Sequence, residues 1–211
     1  MIKTLVFDFD GVIMDSNQLK RAAWYDVFPE HLVSARLVSD VVERNKGNRY
    51  DILHEIFTVL KRPQETVHLL VDGYARRFNE AVQTRLTSEG VSADTLHALT
   101  ELAERYPLYI NSATPIQGLV ETVENLHIGY LFKAVFGVPP SKEENLQIIA
   151  VREGISPDEI AFVGDGEGDW QAARSTGVYF IGFANKDNNW SEREFPLISG
   201  LDQIGGLITT V

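Results

Sequence analysis

Thr4-Leu5-Val6-Phe7-Asp8-Phe9-Asp10-Gly11-Val12 is an apolar run that breaks off into two acids and a glycine. Consecutive apolar and β-branched residues closed by turn formers read as a strand over residues 4–9, buried on both faces as in parallel sheets. On a continuing strand, Asp8 and Asp10 project to one side and crowd two negative charges together. That pairing is costly unless a cation, a proton or hydrogen bonds intervene. Gly11 then permits a sharp turn and a close approach to a ligand. A capped turn with both acids solvated accounts for these residues equally well, because Asp and Gly are common turn formers.

Runs of the same kind recur at residues 108–111, 134–137, 160–164 and 178–183, with a weaker one at 195–198. Helix-period stretches at 93–105, 116–126, 142–153 and 169–176 lie between them. Strand and helix alternate, which predicts an α/β fold, a three-layer doubly wound parallel sheet. Thr114-Pro115 places a proline at a first helical position. Ser141-Lys142-Glu143-Glu144 and Ser156-Pro157-Asp158-Glu159 both read as capping boxes. Residues 17–86 break the alternation, with helical patterns at 19–27, 37–44, 50–60 and 64–82 and no convincing strand. They predict a helical insert in a core made of residues 1–16 and 87–211. Its junctions fall in Asp15-Ser16-Asn17 and Thr87-Ser88-Glu89-Gly90, both rich in turn formers.

The 211 residues are 44% hydrophobic and 23% charged, the balance of a water-soluble globular protein. There is no cysteine, hence no disulfide, thiolate metal site or cysteine nucleophile. No apolar stretch approaches the ~20 residues of a membrane span, and the first residues turn acidic too soon for a signal peptide. These features point to the cytoplasm and away from a membrane. A net charge of −11 argues against nucleic acid as a partner. Residues 16–88 nevertheless hold 11 Lys/Arg against 9 Asp/Glu. A mildly basic insert suits an anionic substrate, though ordinary surface variation explains it as well.

Ligands of open α/β sheets bind at the carboxyl ends of the strands. The second strand ends in Asn111-Ser112-Ala113-Thr114-Pro115, where a hydroxyl and backbone N–H groups at a helix N-terminus make an oxyanion site. Ser112 or Thr114 as a plain N-cap is the alternative. Lys142 occupies the first turn of a helix, where the macrodipole disfavours a cation. It is better placed if an anion sits nearby, and otherwise it is a solvated lysine. The fourth strand ends in Gly164-Asp165-Gly166-Glu167-Gly168-Asp169. Oxygen ligands without His or Cys suit Mg²⁺ rather than zinc, while a structural acidic loop remains open. The five histidines show no metal-ligand spacing. Trp24 is expected to pack the insert and Trp170 the last crossover helix.

Asp-x-Asp-Gly-Val on strand one, a hydroxyl on strand two, a lysine, and Gly-Asp-x-x-x-Asp on strand four occur in that order. The chain resembles the haloacid dehalogenase-like hydrolases, with the Rossmann-like core of that superfamily. The stretch Phe7–Ser16 and the helical insert resemble its helical-cap branch of phosphoglycolate phosphatases and β-phosphoglucomutases. The resemblance implies a phosphohydrolase with Asp8 as nucleophile and Asp10 as general acid and base. Ser112, Ala113 and Lys142 would hold the phosphoryl oxygens. Asp8, the Asp10 carbonyl, Asp165 and Asp169 would hold Mg²⁺, Asp169 directly or through water. The substrate it implies is a small phosphorylated metabolite, handled by a monomer or homodimer.

Two segments depart from or extend that pattern. Glu143 follows Lys142 where many relatives carry proline, which puts the lysine's geometry in question. Lys46-Gly47-Asn48-Arg49 resembles the glycine–arginine segment by which the mutase cap grips a distal phosphate, making Arg49 a candidate for specificity. An Arg49 that caps a helix or pairs with Asp51 or Glu55 is the plainer account. Dehalogenation is disfavoured because the second acid, Asp10, is present. A β-phosphoglucomutase-like mutase remains an alternative. A receiver-like phosphorylation switch is a weaker one, since it needs neither the insert nor this length.

Overall fold

The structure, a computed structural model, describes residues 1–45, 47–188, 190 and 194–208. It divides into two compact units, Met1–Asp15 with Gly90–Val211, and Ser16–Glu89. The chain enters the first unit with β1 (Thr4–Phe7) and leaves it for four helices: α1 (Ser16–Val27), α2 (Ala35–Arg44), α3 (Arg49–Val59) and α4 (Gln64–Glu89). Helix α4 packs on α1 and α3. Trp24 stacks on Phe78 with ring centroids 4.1 Å apart, and Phe28 stacks on Tyr74 at 4.9 Å. Arg85 donates to both oxygens of Asp26, at 2.6 and 2.9 Å. The helix runs on through Thr87–Glu89, where the turn formers predicted a junction. Leu86 is buried one residue earlier, so packing carries the helix past the weak helix formers Thr87 and Ser88.

The first unit continues with α5 (Ala93–Ala103), β2 (Leu108–Pro115), α6 (Ile116–Asn125), β3 (Ala134–Val138) and α7 (Lys142–Glu153). It ends with β4 (Ile160–Gly164), α8 (Glu167–Thr176), β5 (Tyr179–Phe183), β6 (Leu197–Ile198) and α9 (Ile204–Ile208). The six strands form one parallel sheet in the order β3-β2-β1-β4-β5-β6. Strand order therefore reverses at β1, the kind of switch point where such sheets bind ligands. Leu5, Val6 and Phe7 are fully buried, as a central strand requires. Strand β3 is only half-buried along most of its length, because it is the edge of the sheet.

Register brings the site together. Phe7 lies beside Ile110 on one side and Val163 on the other. The residues that follow, Asp8, Asn111-Ser112 and Gly164-Asp165, thus end level along one edge. Strand β1 stops at Phe7, two residues short of the sequence expectation. The Asp8 N–H still donates to the Val163 carbonyl at 2.8 Å, but the Phe9 carbonyl then takes the Ile13 and Met14 N–H groups in a tight turn. Strand β2 instead runs four residues longer than expected, to Pro115, and α6 begins at Ile116. Residues before proline disfavour the helical region, which keeps Thr114 extended and makes Pro115 the cap rather than the first helical residue.

One face of the sheet buries Val6, Tyr109, Phe162 and Phe180 against Leu146, Ile149 and Ala150 of α7 and Ala172 and Ala173 of α8. Each large apolar side chain contributes about 1.5–3 kcal/mol. At the end of β2 away from the site, the buried Tyr109 hydroxyl donates to Glu153, and Lys133 Nζ reaches both Glu153 oxygens at 3.1 Å. Burial, reinforced by the bond to Glu153, pushes the Tyr109 hydroxyl up to about 12. The same bond, ahead of Lys133, holds the Glu153 carboxyl below its ordinary value. A depressed carboxyl stabilises the fold above its unfolded pKa and loses that contribution as pH falls through the folded one. Tyr109→Phe is expected to lower stability by about 1–2 kcal/mol at neutral pH. Urea unfolding at pH ~7 and pH ~3.5 should find the gap from wild type narrower in acid; a gap independent of pH contradicts the assignment.

Candidate active site

Asp8 follows β1 and is buried, 6% exposed. One of its oxygens accepts the Phe9 N–H at 2.7 Å, and the other lies 3.0 Å from Lys142 Nζ. Lys142 is the first residue of α7, which the predicted capping box starts: Ser141 Oγ accepts the Glu144 N–H and Glu144 accepts the Ser141 N–H at 2.8 Å. Its ammonium also bonds Asp169 and lies 5.8 Å from the centre of the Phe162 ring. The cation that the helix dipole disfavours is thus paired with two acids, and Glu143 in the usual proline place does not turn the lysine away. Asp169, 2% exposed, accepts the Gly166 N–H with its other oxygen at 3.0 Å, so it also caps the start of α8.

Asp10 sits in the turn after β1, where its carboxylate accepts the Thr114 hydroxyl at 3.0 Å. Ser112 is buried and its Oγ accepts the Thr114 N–H at 3.1 Å, while Ala113 is exposed. Both Ser112 and Ala113 lie in β2, short of the helix. The hydroxyl and amides expected at a helix N-terminus therefore stand in a strand. Arg49 opens α3 of the helical unit, its guanidinium 5.1 Å from the Tyr50 ring centre and its Nε buried with no hydrogen-bond partner among the described residues. No ion pair joins it to Asp51 or Glu55 there. Asp51 accepts the Asn48 N–H instead, and Glu55 accepts from Arg44 and Asn45. Lys46 of the same segment lies outside the described residues.

The charge balance is one-sided. Burial raises the Asp8 carboxyl well above its ordinary value; Asp169 pushes it further, Lys142 pulls it down and Asp10 adds a smaller push. The like-charge neighbour that matters most to Asp8 is therefore Asp169, across the sheet edge, and not Asp10. Burial also raises Asp165, against a hydrogen bond from Asn185. Burial alone would lower the Lys142 ammonium, but Asp8 and Asp169 outweigh it and hold it raised. Oxygens of Asp8, Asp165 and Asp169 all lie within 4.8 Å of one another. Three carboxylates around one ammonium, without sulfur or imidazole, fit a hard divalent cation.

Two glycines make room for this cluster. A Cβ on Gly11 would stand 2.0 Å from an Asp165 oxygen, and its backbone is left-handed with φ +84°. A Cβ on Gly164 would stand 2.3 Å from that of Asp169. Sequence reasoning missed the loop after β5. Asn185 Nδ2 donates to Asp165 Oδ2 at 2.7 Å and to the Gly11 carbonyl at 3.1 Å. Asn188 donates to the Asp165 carbonyl at 3.0 Å and accepts the Asn185 N–H at 3.1 Å. The available signal was positional: Asn185 lies just past a strand's carboxyl end, as the acids do.

A family model described as haloacid dehalogenase-like hydrolase matches residues 5–183. The phosphoglycolate phosphatase of Shigella dysenteriae is 28% identical over 206 residues, 86% of this chain and 81% of that protein. Other phosphoglycolate phosphatases, including that of Escherichia coli, are 30–32% identical over 124 residues, so the match spans about half (48%) of their length. A candidate β-phosphoglucomutase from Thermotoga maritima superposes over all of both chains with a TM-score of 0.80 at 17% identity. A magnesium-bound structure of the candidate hydrolase YfnB of Bacillus subtilis gives 0.71 at 16% identity over 98% of each chain. Those two likenesses establish the fold.

Asn185→Ala leaves Asp165 ionisable but without the donor that orients it. Loss of such an outer partner is expected to weaken divalent cation binding by about 10–100-fold. Calorimetric titration of the unliganded protein with Mg²⁺ measures this directly, and unchanged affinity would remove Asn185 from the site.

Proposed function

The chain belongs to the haloacid dehalogenase-like hydrolases, and we propose that it is a cytoplasmic Mg²⁺-dependent phosphatase of a small phosphorylated metabolite, working through an aspartyl-phosphate on Asp8. It is a phosphohydrolase; the metal, the intermediate and the metabolite are our reading. The observation that carries it is the Lys142 ammonium held between Asp8 and Asp169, with Asp165 in the same cluster. Phosphatases stand among the relatives in sequence.

The Phe9 N–H fixes the rotation of the Asp8 carboxylate and leaves one oxygen on the Lys142 side. In the first step an Asp8 oxygen bonds to phosphorus as the ester P–O bond breaks. Asp10 gives its proton to the departing oxygen, so the alcohol leaves neutral. Water then attacks phosphorus, Asp10 takes a proton from it, the bond to Asp8 breaks and orthophosphate departs. Thr114 holds Asp10 in orientation for both transfers. Ser112, the Ala113 N–H and Lys142 hold the non-bridging oxygens. Asp8, the Asp10 carbonyl, Asp165 and Asp169 would hold the metal, which offsets repulsion between a carboxylate and a phosphate dianion when bound.

The helical unit, residues 17–86 in the sequence reading, we assign as a cap that selects substrate, with Arg49 as its candidate. The buried Nε of Arg49, unpaired among the described residues, also supports a second reading as a β-phosphoglucomutase-like mutase. Added sugar bisphosphate separates the two, since it turns phosphate release into isomerisation only in a mutase.

Phosphate release from a panel of small phosphate esters is expected to require Mg²⁺ and to vanish in Asp8→Asn. Asp10→Asn should lower kcat by about 10²–10⁴-fold, the ordinary worth of a positioned acid and base. Release that survives chelation, or an unimpaired Asp8→Asn, would sink the mechanism. A phospho-Asp8 that persists without turnover would favour a switch over a phosphatase.

A further inference from the structure

We propose that two buried amides, Asn111 in the middle of β2 and Asn145 near the start of α7, are positioning residues for Lys142; the proposal rests on the phosphohydrolase reading above. Both side chains are fully buried, at 0% exposure. Asn111 Nδ2 donates to the Lys142 carbonyl at 3.0 Å. Asn145 Nδ2 donates to Asn111 Oδ1 at 3.0 Å, with the carbonyls of Gly137 and Pro140 at 3.4 and 3.5 Å. The pair therefore joins the middle of β2, the end of β3 with the turn that follows it, and the first turn of α7. Asn111 directly precedes Ser112. One amide contact thus sets the two phosphoryl-holding side chains, Ser112 and Lys142, in register with each other.

Hydrogen bonding within the pair is incomplete. Asn145 Oδ1 is buried and has no hydrogen-bond partner among the described residues, and an unsatisfied buried acceptor is destabilising. An apolar side chain there would remove that acceptor, but also the amide that faces the Gly137 and Pro140 carbonyls. What apolar packing cannot supply is direction. Lysine carries its charge on a flexible four-carbon stem, so its head is placed only as well as the backbone beneath it. The capping box fixes the Ser141 and Glu144 amides of this turn, and the Asn111 bond to the carbonyl of Lys142 itself ties the same turn to β2.

A double-mutant cycle tests this on an ester that the wild type cleaves, with the thermal midpoint of every variant measured alongside. Asn145→Ala is expected to lower kcat/KM about 10–100-fold when Lys142 is present, the scale of an ångström-sized misplacement. In a Lys142→Ala background the same change should cost less than about 3-fold, because residues acting through one group are not additive. Orthovanadate affinity provides a second reading of the same cycle where Lys142→Ala is too slow to assay. If Asn145→Ala does not fold, Asn145→Leu removes the donors while keeping the volume filled. Equal fold-losses in both backgrounds overturn the proposal and leave the phosphatase reading standing. A wild type inert toward every ester overturns that reading, and the positioning role with it.

Discussion

One ammonium bonded to two buried carboxylates is the interaction on which the site depends. Asp8 follows β1, Asp169 lies in the first turn of α8 and Lys142 opens α7. Removing one partner of such a cluster costs about 3–5 kcal/mol, because the remaining charges stay buried and uncompensated. Replacing the whole cluster by apolar residues is often neutral or stabilising. The site is therefore no source of stability to the fold that carries it. The buried faces of β1, β2 and β4, covered by α7 and α8, supply the margin.

That cluster needs register as much as it needs residues. Phe7 pairs with both Ile110 and Val163, and a slip of one residue would send Asp8 to the opposite face of the sheet. The switch point at β1 gives the acids open space beyond the strands. Three consecutive side chains of β1, Leu5, Val6 and Phe7, are fully buried, so firm hydrophobic register lies directly beneath the chemistry.

Much of this was legible in local pattern. Apolar runs, helix periods and the two capping boxes located the elements of the sheet unit and the four helices between residues 16 and 89. What escaped depends on partners far along the chain. The acids of the Asp8-Phe9-Asp10 stretch read as neighbours on a strand, yet the chain turns after Asp8 and its strongest like-charge neighbour is Asp169. Pro115 read as a helix start, but pairing with Val138 of β3 keeps β2 extended to that residue. Asn185 bonds Gly11 across 174 positions, and Asn145 bonds Asn111 across 34. No periodicity carries such contacts, since an isolated asparagine in a loop or helix is ordinary.

The missed residues share a chemistry that the cluster itself dictates. Acids that could hold a divalent cation are best oriented without being neutralised. An arginine against Asp165 would cancel its negative charge, and a carboxylate would add repulsion to a site already dominated by burial and like charge. A neutral amide or hydroxyl avoids both. Asn185 on Asp165 and Thr114 on Asp10 are the donors found there, and Lys142, the one full cation bonded to the cluster among the described residues, faces Asp8 and Asp169. The motif acids carry the charge, and their neutral supports are an asparagine and a threonine, residue types that no spacing marks as partners of an acid.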